Sequence, residues 1–254
     1  MSEPVELLLK SLRLPAFLHH YQRLWDEANE HHWSHVDYLA ALCEHELAGR
    51  YERRVRSWTR AARLPEGKTF SSLDFKHLSQ TTRPPVKQLM QNRDWWHRSE
   101  NVVLIGASGV GKTHIAAALG HQLIEQGVRC KLFPAVALVQ ELQKAKESLE
   151  LMAYMTKLDK YRVIIVDDIG YVKKTDAETQ VLFEFIAHRY ESSSLVITAN
   201  QPFSEWDSIF PDNIMTVAAV DRLIHHAVII KLEGESFRKR EQKQNKAVKQ
   251  KRQT

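Results

Sequence analysis

Apolar residues recur at helical spacing through the first quarter of the chain, then give way to short unbroken apolar runs. Leu7, Leu8, Leu12 and Leu14 open a helical pattern. Pro15 interrupts it, and Phe17, Leu18, Tyr21, Leu24, Trp25 and Ala28 resume it. Ser34, with Asp37 three residues on, reads as an N-cap and its capping-box partner. Val36, Leu39, Ala40, Cys43, Leu47, Tyr51, Val55, Trp58 and Ala62 then follow at helical spacing, which predicts a long amphipathic helix ending near Pro65. From Gly67 to about Arg98 the chain is turn-rich and weakly periodic, as in Gly67-Lys68-Thr69 and Arg83-Pro84-Pro85. A short helix from Pro85 to about Trp96 fits there, because proline is tolerated in a first helical turn.

The runs that follow alternate with helical patterns. Val102-Val103-Leu104-Ile105 reads as a buried strand, and Ile115, Ala116, Leu119, Leu123 and Ile124 as a helix that Gly127 stops. Val128–Phe133 is a strand, Ala135 to about Lys146 a helix, and Leu149 to Lys160 a second helix. Val163-Ile164-Ile165-Val166 is a buried strand, Ala177 to Glu191 a helix, and Leu195–Asn200 a further strand. A helix from about Ile214 to His226 and a strand over Ala227–Leu232 close the series. Alternation of this kind predicts an α/β fold, a central parallel sheet with helices on both faces. The division expected is a small all-α N-terminal domain (1–66), a connector (67–98), a nucleotide domain (99–240) and a basic flexible tail (241–254).

Composition changes this picture little. The 254 residues are 43% hydrophobic and 26% charged, with a net charge of +5, ordinary for a globular protein and compatible with a polyanionic partner. Two distant cysteines, Cys43 and Cys130, support neither a disulfide framework nor a four-ligand zinc site. No leader-like segment opens the chain and no apolar run reaches about 18 residues, so a cytoplasmic location without a membrane is expected. His31 and His35 have metal-ligand spacing, but no Cys or carboxylate completes a set, and they read as surface or packing residues. Arg50, Arg53, Arg54, Arg56, Arg60 and Arg63 crowd one stretch of the long helix. They are either a solvated face or a surface for phosphate backbone or an acidic partner.

The chemistry centres on Gly106-Ala107-Ser108-Gly109-Val110-Gly111-Lys112-Thr113, which fits the phosphate-loop pattern G-x-x-x-x-G-K-[S/T] and stands between a strand and a helix. Glycines let backbone N–H groups turn inward around a phosphate chain, and the helix N-terminus adds its positive end. These eight residues and His114 are the candidate nucleotide contacts. Lys112 would reach the β- and γ-phosphates of ATP, and the Thr113 hydroxyl would hold Mg²⁺. Asp167, at the end of a predicted strand, is the acid that completes a Mg²⁺ site. Asp168 would orient or deprotonate the attacking water, although a glutamate often does this work and aspartate is one methylene shorter. Asn200 ends the next strand, where its amide would bond both the γ-phosphate and the water; the alternative is a capping turn before Gln201-Pro202. Arg222 and Arg238 are candidate cations for charge developing on the γ-phosphate, Arg222 towards a neighbouring subunit and Arg238 within its own. An ordinary salt bridge, for instance Arg222 with Asp221, is the other reading. Arg83 and Trp95-Trp96 would contact the adenine or pack at the domain edge.

Several longer segments carry a resemblance. Gly106–Ala116, Val166–Tyr171, Ile197–Trp206, Asp221–Ala227 and Gly234–Arg238 look like the IstB family of transposition helper ATPases, AAA+ proteins close to the DnaC helicase loader. Leu12–Pro15 and Arg60–Pro65 resemble its helical N-terminal domain. The resemblance implies ATP-driven homo-oligomers assembled through the AAA+ domain on duplex DNA, largely without sequence preference. It further implies DNA bending, recruitment of a cognate transposase, and ATP hydrolysis with Lys112, Thr113, Asp167, Asp168, Asn200, Arg222 and Arg238 at the family's ATPase positions. Arg50, Arg53, Arg54, Arg56 and Arg60 are the candidate DNA contacts. A DnaC-like helicase loader is the alternative. A small-molecule phosphotransferase lacks an acceptor-site motif.

Overall fold

A computed structural model of the chain describes residues 4–170, 175–208, 213–234 and 236–237. The chain divides into two compact units, Met1–Trp58 and Thr59–Thr254. The first is helical: α1 (Val5–Ser11), α2 (Pro15–Glu30) and the greater part of α3 (His35–Ala62). Pro15 interrupts the apolar pattern because it opens α2 in its first turn, where its missing N–H costs nothing. Ser34 and Asp37 form the capping box expected: Asp37 N–H donates to Ser34 Oγ and Ser34 N–H to the Asp37 carboxylate, both at 3.2 Å. The side-chain hydrogen bond from Ser34 holds the Asp37 carboxyl below its usual pKa.

The apolar stripe of α3 does not face inward from Val36 to Tyr51. Val36, Leu39, Leu47 and Tyr51 are exposed, as is Cys43, while Leu42 and Glu46 are buried. Glu46 sets this rotation. Its carboxylate accepts from Ala16 N–H in the first turn of α2 at 2.8 Å and pairs with Arg50 at 2.8 Å and Arg53 at 3.2 Å. Burial pushes its pKa up, but the hydrogen bonds from Arg50 and Ala16 and both guanidinium charges outweigh that, and the net shift is downward. An anion held this way stays buried, so the residues beside it face α2 and the stripe one step around the helix faces solvent.

The second unit holds α4 (Arg83–Gln91) and then β1 (Asn101–Gly106), α5 (Lys112–Glu125), β2 (Cys130–Pro134), α6 (Ala135–Glu147), α7 (Leu151–Leu158) and β3 (Val163–Asp167). It continues with α8 (Asp176–Arg189), β4 (Ser194–Ala199), α9 (Asn213–Ile224) and β5 (Ala227–Leu232). Helix α4 ends at Gln91, earlier than the pattern suggests, because Asn92 turns the backbone to an extended conformation. The five strands are parallel in the order β2-β3-β4-β1-β5. Strand β4 therefore separates the phosphate-loop strand from the acidic strand. Alternate residues serve opposite faces. Ile164, Val166, Leu195 and Ile197 join Leu138, Leu142, Leu182, Phe185 and Leu223 in one buried cluster with α6, α8 and α9. Ile165 points the other way, to α5: a Cβ on Gly120 would press on Ile165 Cδ1 at 2.9 Å and Leu64 Cδ2 at 2.6 Å. A buried Arg189 ties the ends of α7, α8 and β4 together by donating to the carbonyls of Leu158, Tyr161, Arg162 and Ser194. Among the described residues, no helix is long and apolar enough to cross a membrane.

The two cysteines report on this packing. Cys130 is buried, its Sγ donates to Gly120 O at 3.3 Å, and burial pushes its pKa up to about 12, whereas Cys43 is exposed. At about pH 8 a thiol-exchange reagent should label Cys43 promptly and Cys130 only as the protein unfolds, since only the thiolate reacts. Equal, rapid labelling of both in the native protein would show that β2 is not packed on α5.

Candidate functional site

Parallel strands bring their carboxyl ends to one edge of the sheet, and loops leaving that edge make a natural site. There the chain encloses a cavity of about 880 Å³, lined by Ser108, Gly109, Gly111, Lys112, Thr113, His114, Asp167 and Asp168. Its other walls are Lys68, Ser72, Leu73, Asp74 and His77 from the connector, Pro134, Ala135 and Val136 at the start of α6, and Phe237. The volume lies in the range typical of small-molecule sites.

The loop itself is shaped by two glycines in the left-handed region, Gly109 at φ +86° and Gly111 at φ +105°. Lys112 is buried, and its Nζ donates to Gly106 O at 2.7 Å and Ala107 O at 2.9 Å, which curls the loop over the ammonium group. Thr113 Oγ1 donates to both oxygens of Asp167, at 3.0 and 3.1 Å. Thr198, on the intervening strand β4, donates from Oγ1 to Asp167 Oδ1 at 2.6 Å and accepts from Asp168 N–H at 2.8 Å. Asp168 follows at φ +59°. That left-handed conformation is one that aspartate adopts more readily than most residues. A hydroxyl and a carboxylate converging beside a phosphate loop are hard oxygen donors of the kind Mg²⁺ takes, and a glycine-shaped loop at a helix N-terminus with an ammonium fits a polyphosphate. The residues present thus fit both groups.

Of the other site candidates, Ala107 and Val110 belong to the loop without lining the cavity, Ala107 exposed and Val110 buried. His114 Nε2 lies 3.0 Å from Thr69 O and 3.2 Å from Ser72 Oγ, bonded to the connector. Asn200 stands one residue beyond β4 with its Oδ1 buried and without a hydrogen-bond partner among the described residues, facing Gly170. Arg222, on α9, does not line its own chain's cavity. It donates to Ala218 O at 2.9 Å, its guanidinium stacks 5.2 Å above the Phe183 ring, and it makes no ion pair with Asp221 among the described residues. Arg238 and the tail lie outside the described residues. Arg83 and the tryptophans do not line the cavity: Arg83 donates to Leu78 O and Lys76 O and Trp95 is buried, as packing at the domain edge would have them. Among the arginines of α3, Arg50 and Arg53 are committed to Glu46, Arg54 lies over Tyr51 and Trp58, and Arg56 and Arg60 are exposed.

Nothing in the residue pattern foresees the connector wall. Lys68, Ser72, Leu73, Asp74 and His77 come from a stretch whose composition signals only turns, and chain reversal there brings them across the loop. The last wall is equally hidden. Ser236 and Phe237 fold back so that Phe237 N–H donates to Gly109 O at 2.9 Å, and the His77 and Phe237 rings meet edge to face at 5.8 Å.

A phosphate loop after β1, an acid ending β3 and a strand between them define a P-loop ATP-binding domain of the AAA+ class. Comparisons with known proteins agree on this and narrow it. The sequence model of the family described as IstB-like ATP binding protein matches residues 7–245. An insertion-sequence ATP-binding protein of Sinorhizobium fredii is 43% identical over 234 residues, which cover 92% of this chain and 78% of that one. The ATP-binding protein of insertion sequence IS21 from Pseudomonas aeruginosa is 34% identical over 239 residues, 94% of this chain and 90% of its own. Among solved structures, DnaI superposes with a TM-score of 0.57 at 18% identity, covering 67% of this chain and 95% of that chain. The DnaC helicase loader does so with 0.52 at 19%, covering 62% and 93%. The chain belongs to the IstB-like ATP-binding family, on a fold shared with DnaI and DnaC.

The close approach of the last segment to the loop makes a test. A Cβ at Gly109 would overlap Ser236 Oγ, on a backbone that L side chains rarely adopt. Gly109→Ala should weaken binding of a fluorescent ATP analogue roughly 5- to 150-fold, since strain at such a φ costs of order 1–3 kcal/mol. Adding Ser236→Gly should recover part of that affinity. No recovery would mean that the two segments do not touch in solution.

Proposed function

We propose that this protein is an ATP-hydrolysing helper of a transposase that assembles on duplex DNA when ATP is bound. The observation that carries the reading is the convergence of Lys112, Thr113, Asp167 and Asp168 on one cavity in a chain of an insertion-sequence ATP-binding family. In this reading the loop N–H groups and Lys112 hold the β- and γ-phosphates. Thr113 and Asp167 hold Mg²⁺, which when bound neutralises phosphate charge. Asp168 orients the attacking water and takes its proton. The Asn200 amide, whose oxygen has no partner within the described residues, helps to position that water. Arg222 stands outside its own cavity, and a position of that kind supports action on a neighbouring subunit's γ-phosphate, where it offsets developing charge. ATP would then join subunits, and hydrolysis would loosen them. Arg238 is assigned to the chain's own nucleotide.

The helical N-terminal region, with the connector linking it to the ATPase domain, is the proposed DNA and partner contact. Arg54, Arg56 and Arg60 are its better candidates, because Arg50 and Arg53 already serve Glu46. Contacts of this kind go to phosphates, so affinity should fall with salt and read little sequence. The basic tail would add to this. The replication initiator DnaA, which shares the fold, has been solved bound to AMPPCP and single-stranded DNA, and this supports DNA as the object. The fold likeness to DnaC favours a second reading, a helicase loader. Co-purification with a transposase rather than a replicative helicase separates the two.

Lys112→Ala should abolish ATP binding and ATP-dependent assembly. Asp168→Asn should bind and assemble but turn over on the order of 10³-fold more slowly, leaving oligomers on DNA. Arg222→Ala should lose turnover to a similar degree, yet mixing it with Asp168→Asn should restore part of the activity through mixed interfaces. Normal hydrolysis by Asp168→Asn, or no rescue on mixing, would overturn the corresponding role. Replacing Arg54, Arg56 and Arg60 together should flatten the salt dependence of DNA binding, by roughly 0.9 in log–log slope for each phosphate no longer neutralised.

A further inference from the structure

Away from the nucleotide cavity, where α8 and α9 end, three potential metal ligands meet: Glu191, His225 and His226. One ligand atom of each lies within 4.8 Å of the other two, and this is the one such trio among the described residues. Glu191 comes from the turn after α8, and the two histidines form the turn between α9 and β5. The set is thus brought together by tertiary structure from segments more than thirty residues apart. We infer that Glu191, His225 and His226 form a binding site for a borderline divalent transition metal, with Zn²⁺ as the expected ion, distinct from the nucleotide cavity.

The donor set selects the ion. Two imidazole nitrogens and one carboxylate oxygen match the three protein ligands of open zinc sites, whereas Mg²⁺ and Ca²⁺ require oxygens. At bond lengths of about 2.0–2.2 Å, tetrahedral ligands stand roughly 3.4 Å apart. All three side chains are exposed, so rotamer changes can close the remaining gap without disturbing the core.

The backbones under these ligands are already held. Asn101 N–H donates to His226 O at 2.7 Å, and Asn101 Nδ2 donates to Leu223 O at 3.1 Å. Its Oδ1 accepts from Leu195 N–H at 2.8 Å, so one buried asparagine fixes the α9–β5 turn to two strands. On the other side, Ser192 and Ser193 N–H donate to the carbonyl of Arg189, which is itself fully buried. The outer shell is present too. Tyr190 Oη lies 2.7 Å from His225 Nδ1, so that with Nε2 as the ligand Nδ1–H would donate to the phenol oxygen. A ligating histidine needs just this second bond to fix its tautomer and ring plane.

An ion here ties the end of α8 to the end of α9. Those helices also meet at Phe183 and Arg222, whose side chains stack at 5.2 Å. The site lies three residues beyond Arg222 on the same chain segment. Metal occupancy would therefore stiffen the helix pair that presents this arginine, whatever its role in hydrolysis.

The test uses the full chain without an affinity tag, freed of metal and nucleotide. Zn²⁺ affinity is read by competition with a chromophoric chelator, and Co²⁺ substitution by its visible absorption. Wild type should bind one equivalent that His225→Ala/His226→Ala loses, a weakening of at least about a hundredfold. Glu191→Gln should weaken it at least about tenfold, and Tyr190→Phe by about 10-fold, as second-shell losses do. Zinc should raise the melting temperature of wild type but not of the double variant. Without zinc all variants should melt with wild type, since the substituted side chains are exposed or, for Tyr190, keep their ring. Equal zinc stoichiometry and affinity in wild type and the double variant, including no binding by either, would overturn the site.

Discussion

The carboxylate of Asp167 is the point on which the working half of this protein depends. It accepts hydrogen bonds from Thr113 at the start of α5 and from Thr198 near the end of β4. Those residues come from three separate βα segments, and only a parallel sheet with β4 between β1 and β3 sets their ends side by side. Thr198 then passes the constraint on, accepting from Asp168 N–H and holding that residue in its left-handed turn. A half-buried carboxylate held by two hydroxyl donors from separate elements is strongly directional. It therefore aligns phosphate loop, acidic strand and intervening strand before any nucleotide arrives.

The cavity has a second constraint at its open side. Gly106 runs so close to β5 that a Cβ there would overlap Leu232 O, and Ser236 and Phe237 turn back onto Gly109. The phosphate loop is gripped between the acid behind it and the segment after the last strand. Any motion of α9 and β5 is thereby coupled to the loop through backbone contact. The proposed metal ligands occupy the amino end of β5, and the loop contacts lie at its carboxyl end, so one strand joins two chemically different sites.

Much of this was legible from residue order. Glycines, lysine and threonine at fixed offsets between a strand and a helix have little use except around phosphate, and Asp167 follows a run too apolar to be anything but a buried strand. What resisted reading was every feature that depends on rotation or return of the chain. The stripe from Val36 to Tyr51 looks like a core face, yet the buried anion Glu46 turns α3 so that Leu42 packs and the stripe is exposed. Thr175 and Glu178 form a capping box at S/T-x-x-E spacing, so α8 begins at Asp176, one residue before the start that its apolar periodicity suggests. Asp74 and His77 sit in a segment of turns, and nothing in a turn's composition says which wall it will build.

Local chemistry and periodicity, which act between near neighbours, determined the element order, the α/β class, the phosphate loop and the acid pair from the sequence by itself. The tertiary structure alone decided which face of α3 is buried, that Arg222 lies outside its own cavity, that the connector and Phe237 complete the nucleotide site, and that Glu191 meets His225 and His226. Those outcomes depend on contacts between residues distant in sequence, and burial of one charged group or closure of one sheet edge outweighs the short-range pattern that sequence records.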